Sequence, residues 1–231
     1  MGKITARVSR YEGIADWYDG VMNDPGKRGG LKNRSHDLLE ELLGKGEGLA
    51  LDIGCGTGIV AERVRNLGYS PVGVDLSADQ LKIASGRLPV AQADVTNLPI
   101  ASNSIPVVYT TFTTTEYDDL QGVINEIYRV LKPGGRYVEI GTHPCFNGGY
   151  AEIQADGSVI QHPGYRSSHY LQPSHFNSPI RGRVGAWNRP LEDILNTILN
   201  AGFRLDRVAE GGEKDLPDIL GIVAVKDKGE N

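Results

Sequence analysis

The chain has 231 residues, 39% hydrophobic and 23% charged, with 24 Lys and Arg against 29 Asp and Glu and a formal net charge of −5. That suits one globular domain with its own core, and an acidic balance without a long basic run argues against nucleic acid as the main partner. Two cysteines, Cys55 and Cys145, are too few for a disulfide framework and read as free thiols; with no membrane-spanning apolar run and no signal-like N-terminus, the expectation is a cytoplasmic protein.

Residues 1–7 are expected to be disordered or peripheral. Within 8–20, Tyr11, Ile14, Ala15 and Tyr18 recur at helical spacing. Asn23 to Gly30 is a loop by composition. Residues 31–43 read as an amphipathic helix with Leu38, Leu39, Leu42 and Leu43 on one face and His36 at the surface or satisfied. The stretch that follows organises the chain. An apolar run, Leu49 to Leu51, ends in Asp52; Gly54, Gly56 and Gly58 follow, and a helical pattern covers 59–67 and stops at Gly68. A buried strand feeding a glycine turn and a helix is how an α/β sheet builds a nucleotide-sized crevice.

Pro71 to Val74 is a second strand. It ends in Asp75, 23 residues after Asp52, about where the second strand of a nucleotide-binding unit offers a carboxylate to ribose hydroxyls. Ser77 is the expected cap of a helix over 78–86. Val90 to Ala93 is a third strand, followed by Asp94 and Val95. Val107 to Thr111 is a fourth, and the hydroxyl run Thr110 to Thr115, broken by Phe112, lies at its carboxyl end, where open α/β sheets bind ligands. A helix over Glu116 to Leu131, a turn at Pro133-Gly134-Gly135 and a fifth strand, Tyr137 to Ile140, complete this half.

Residues 142–188 are irregular. They hold His143, His162, His169 and His175, four of the five histidines, and Arg166, Arg181 and Arg183; Arg189 follows directly. The histidine spacing is not that of a zinc site, so no metal is expected. Asp156-Gly157 between apolar residues signals a β-hairpin. A helix over 190–201 and two strands, Phe203 to Val208 and Ile219 to Val225, end the chain.

Asp52-Ile-Gly-Cys-Gly-Thr-Gly58 resembles motif I, (D/E)-x-G-x-G-x-G, of the class I S-adenosylmethionine-dependent methyltransferases. A pyrophosphate-binding G-x-G-x-x-G turn would need glycine at position 59, where Ile59 stands. Arg129-Val-Leu-Lys-Pro-Gly-Gly135 resembles the family's turn before strand five. The resemblance implies an α/β fold: a Rossmann-like seven-stranded sheet, mostly parallel with the last strand antiparallel, and helices on both faces. It implies a single domain over 1–231, with an N-terminal helical cap at 8–44 and a substrate lid at 142–188. The implied cofactor is S-adenosylmethionine. Asp52, Gly54 and Gly56 would form its turn, Asp75 with Leu76 would meet the ribose, and Asp94 with Val95 the adenine. Thr111 and Phe112 would line the space at the fourth strand, with Tyr11 and Tyr18 folding over the top. The implied function is methyl transfer to a small-molecule acceptor, with oxygen the favoured acceptor atom. Where the acceptor must lose a proton, His143, three residues past the fifth strand, is the candidate base. Two other readings stand beside this one: an NAD-dependent dehydrogenase on a similar sheet, and a non-catalytic cofactor-binding protein of the same fold. The sequence does not carry the acceptor's identity or the oligomeric state.

Overall fold

The computed structural model describes residues 8–24, 29–213 and 215–229. The expectation for residues 1–7 lies outside these, as do residues 25–28 of the expected loop. Helix α1 (Ala15–Asn23) is followed by α2 (Gly29–Leu43), which begins inside that loop. Then β1 (Gly48–Ile53), α3 (Ala61–Asn66), β2 (Tyr69–Asp75), α4 (Ala78–Ala84), β3 (Val90–Gln92), β4 (Ile105–Thr111), α5 (Leu120–Val130) and β5 (Leu131–Thr142) alternate. Two small antiparallel pairs come next, β6 (Ala151–Ile153) with β7 (Val159–Gln161), and β8 (His169–Leu171) with β9 (Ala186–Asn188). The first of them is the hairpin expected at Asp156-Gly157. Helix α6 (Arg181–Val184) precedes β9, and α7 (Leu191–Asn200), β10 (Phe203–Gly211) and β11 (Ile219–Lys226) finish the chain.

Seven strands form one sheet in the order β3-β2-β1-β4-β5-β11-β10. Strands β1 to β5 pair in parallel, and β11 runs antiparallel to both of its neighbours, β5 and β10. This is the sheet expected from the sequence. Each face is covered because alternate side chains point opposite ways along a strand. On one face Leu51, Ile53 and Val108 pack with Val123, Ile124 and Ile127 of α5 and Ile194 and Ile198 of α7. On the other, Ala50, Tyr109 and Ile140 pack with Leu38, Leu39, Leu42 and Leu43 of α2 and Val64 of α3. A fully buried leucine is worth about 1.5–3 kcal/mol, so α2 is held mainly by that stripe. It lies close because Gly221 has no side chain; a Cβ there would stand 2.6 Å from Leu42 Cδ1. The α2 part of the expected cap at 8–44 is thus a layer of the core.

Three boundaries differ from expectation. The N-terminal helix starts at Ala15 because residues 10–13 form a turn that ends at Gly13, with φ +78°. Helix α5 starts at Leu120, where Asp119 caps it by accepting the Gly122 N–H at 2.8 Å, so Glu116 to Asp118 form a loop. The Pro133-Gly134-Gly135 turn is an outward bulge inside β5, where the register jumps from Ile105↔Leu131 to Val107↔Arg136. His36 is buried, and desolvation, followed by the Arg63 and Lys32 charges, pushes its imidazole down to about 4.

Candidate active site

An open cavity of about 930 Å3 lies at the carboxyl ends of β1, β2 and β4, roofed by the segment from Val8 to Tyr18. Gly54, Gly56 and Gly58 all take positive φ, between 54° and 73°, a region open to glycine without strain. At Gly56 a Cβ would stand 3.9 Å from the Tyr18 ring and 3.7 Å from Gln80 Oε1, inside the cavity wall. The turn therefore brings bare backbone to the ligand space.

Asp75 ends β2 in this cavity. Its Oδ2 accepts the Gly56 N–H and its Oδ1 the Ser77 N–H, each at 2.9 Å. Burial pushes the carboxyl up, and the backbone donors at Ser77, Gly56 and Leu76 oppose that. Two oxygens fixed in this way retain lone pairs that suit a vicinal diol. The Ser77 hydroxyl caps α4 by accepting the Gln80 N–H at 3.2 Å and donates to Glu12 of the roof at 2.7 Å. Farther along, Asp94 Oδ1 accepts from the Thr96 N–H and hydroxyl at 2.9 and 2.7 Å, which fixes the carboxylate beside Val95 at the cavity edge. Phe112 closes the β4 side with φ +59°. That left-handed geometry costs a non-glycine residue of order 1–3 kcal/mol, and the Phe112 N–H holds it by donating to Ile140 O at 2.7 Å. Tyr11 and Tyr18 meet edge to face overhead, with ring centroids 5.4 Å apart.

Tyr11, Tyr18, Gly54, Gly56, Asp75, Leu76, Asp94, Val95, Thr111 and Phe112 all line this cavity. Asp52 does not. It is 1% exposed, and its carboxyl faces the Tyr109 hydroxyl inside the fold. The alternation on β1 explains this, since Leu51 and Ile53 occupy one face and Ala50 and Asp52 the other. Burial, then the nearby Asp75 charge, pushes the Asp52 carboxyl up to about 8.

His143 is also displaced from its expected place as a base. It is 2% exposed and absent from the cavity lining. Its Nδ1 accepts the Cys145 N–H at 3.2 Å, and Nε2 bonds Glu210 at 2.8 Å. Both ring nitrogens are committed, so it presents none to an acceptor. The other three histidines of this region bond Glu152, Tyr150 and Gly149.

Glu116 and Gln80 line the cavity and were not singled out in the sequence. The signal for Glu116 was an acid straight after a hydroxyl run at a strand's carboxyl end. Among the described residues no group of His, Cys, Asp and Glu is placed to hold a metal ion, and no helix is long and apolar enough to cross a membrane.

The bare glycine turn, the Asp75 carboxylate and the buried, unbonded amide of Gln80 together fit an adenosyl group. Residues 51–138 match the sequence model of the methyltransferase-domain family. A demethylmenaquinone methyltransferase of Oceanobacillus iheyensis is 30% identical over 233 residues, covering 88% of this chain and 90% of that protein. The chain thus belongs to the S-adenosylmethionine-dependent methyltransferases. A malonyl-[acyl-carrier protein] O-methyltransferase of Enterobacter lignolyticus is 34% identical over 109 residues, 46% of this chain and 43% of that one. The match therefore spans less than half the length of that relative. The crystal structure of an S-adenosylmethionine-dependent methyltransferase from Mesorhizobium loti superposes with a TM-score of 0.70 at 21% identity, covering 85% of this chain and all of that one. It shares the fold.

Proposed function

We propose that this protein transfers a methyl group from S-adenosylmethionine to an oxygen atom of a small-molecule acceptor. The observation that carries the reading is Asp75, a carboxylate fixed by the Gly56 and Ser77 N–H groups beside a side-chain-free turn. When bound, the cofactor supplies an electrophilic sulfonium methyl. In this reading the chain's own task is to orient and to exclude water. Asp75 holds the ribose, Asp94 and Val95 the adenine, and Gly54 and Gly56 the turn between. Thr111 and Phe112 shape the far wall, and Tyr11 and Tyr18 cover the top. Residues 8–24 form the roof, and residues 142–188 contribute Arg181 to the acceptor side as a substrate cover. Asp52 and His143 receive no contact role. We place the protein in the cytoplasm, where its two free thiols, Cys55 and Cys145, stay reduced.

Titration calorimetry tests the first step. Wild-type protein is expected to bind S-adenosylmethionine and not NADH. Asp75→Ala is expected to lose about 10- to 100-fold in affinity, the worth of one charged hydrogen bond. Unchanged affinity in a folded variant would remove Asp75 from the cofactor. Release of S-adenosylhomocysteine on adding metabolite extract, and not without it, tests turnover.

A further inference from the structure

A second, smaller cavity of about 380 Å3 opens beside the first, bounded by Tyr11, Phe112, Thr115, Glu116, Thr142 and Arg181. Glu116, Tyr11, Tyr18 and Phe112 belong to both cavities, so they stand where a donor methyl and an acceptor would meet. Glu116 is the carboxyl at that junction. Its Oε2 is buried and makes no hydrogen bond, with the Arg10 guanidinium 3.8 Å away. Arg181 forms the opposite wall, held by Thr142 Oγ1 at 2.7 Å and Asn147 O at 3.4 Å. Apart from the hydroxyls of Thr115 and Thr142, the remaining lining is flat or apolar: Tyr11, Tyr18, Phe112, Met22 and Ile180.

From this junction we infer that the smaller cavity is the acceptor subsite, that it takes a small planar hydroxyl compound such as a phenol or enol, and that Glu116 is the base that receives the hydroxyl proton. The inference rests on the methyl-transfer reading above. The step balances as follows. The acceptor O–H proton passes to Glu116 Oε2. The oxygen's electron pair forms the new O–CH3 bond as the S–CH3 bond breaks, and that bond's pair stays on sulfur. The products are the methyl ether, S-adenosylhomocysteine and a protonated Glu116, which returns its proton to water.

The environment of Glu116 suits a group that must both take and release a proton. Burial pushes its carboxyl up to about 7, against smaller downward pulls from Arg181, Arg10 and the hydroxyls of Tyr11 and Thr115. The charged and titratable groups around it are Arg10 and Tyr11 of the roof, Asp118 of its own loop, Tyr170 of β8 and Arg181 of α6.

The probe is 4-nitrophenol, whose phenol and phenolate forms differ in colour and whose own ionisation lies near neutrality. Calorimetry first establishes that wild-type protein and Glu116→Gln both bind S-adenosylhomocysteine. If wild type does not, the methyl-transfer reading itself fails. With that ligand bound, wild type is expected to bind 4-nitrophenol with a bell-shaped pH dependence, because the probe and Glu116 share one proton. In Glu116→Gln the limb near pH 7, set by the carboxyl, should vanish. Affinity at the wild-type optimum should fall about 10- to 100-fold, as for loss of a charge-assisted hydrogen bond. Glu116→Asp, which keeps the acid, should retain the bell. A protein that binds S-adenosylhomocysteine but not 4-nitrophenol would overturn the subsite. Equal binding and an unchanged pH profile in Glu116→Gln would overturn the base.

Discussion

Among the carboxyls whose proton affinity burial raises, Asp52 near the end of β1 and Glu116 in the loop after β4 are set apart by their surroundings. Glu116 meets Arg10 and Arg181 across a cavity, whereas Asp52 faces the Tyr109 hydroxyl and the repelling Asp75 charge inside the fold. Asp52 therefore acts on stability. Its folded value, about 8, lies above the ordinary 3.8, so the native state holds this proton more tightly than the unfolded chain does. The stability this confers is complete below the unfolded value and is lost as pH rises through the folded one. The urea midpoint of wild type should fall as pH rises from about 4 to about 8 and level off above that. Asp52→Asn, neutral throughout, should remove most of that slope and exceed wild type at the alkaline end by on the order of a few kcal/mol. Parallel curves for the two proteins would mean that Asp52 is ionised in the native state.

At the level of elements, the loop that presents Glu116 exists because α5 begins late. Asp119 terminates the loop and starts the helix by accepting the Gly122 N–H. Asp119→Ala should cost about 1 kcal/mol, read as a lower urea midpoint. The sequence made the strands plain, because short apolar runs at β1, β2 and β4 end in acids or hydroxyls. It was less clear about helix starts. Thr113-Thr-Thr-Glu116 carries capping residues as good as Asp119, and only packing of Leu120, Val123 and Ile124 into the core decides between them. Asp52 was legible in principle, since counting by twos from Leu51 assigns it to the opposite face. His143 was not. Its N–H donates to Asp218 O at 2.9 Å and its ring reaches Glu210, two partners that depend on how the distant β10 and β11 align. Glu116 was visible as an acid at a strand's end, but its place opposite Arg181 depends on the path of residues 142–188.

Across the whole molecule, the roof packs in a small apolar cluster of its own beside the two sheet cores. Val21 and Met22 of α1 cluster with Ile180 and Val184 around α6, with Tyr11, Trp17 and Tyr18 at the edge. Polar ties fasten this small cluster to the sheet domain: Arg87 to Asp19 at 2.6 Å, Glu12 to Ser77, and Arg10 to Asp118 at 3.0 Å. A small apolar cluster held by a few polar ties at the domain surface opens at lower free energy than a core does. Hydrogen exchange of residues 8–24 should therefore slow when S-adenosylhomocysteine is added, while β1 and β4 stay unchanged. Equal exchange with and without that ligand would make the segment a fixed wall. The order of the strands also bears on how the chain is made. Of the seven sheet strands, β11 is the last in chain order to be made, yet it lies inside the sheet, between β5 and β10, with Ile219, Leu220, Ile222, Val223 and Ala224 buried. Until residues 219–226 emerge, β5 has an open edge and β10 has no neighbour to bond. A message cut short between Arg181 and Ile219 would thus yield a chain holding every residue of the candidate site and still unable to close the sheet that carries it.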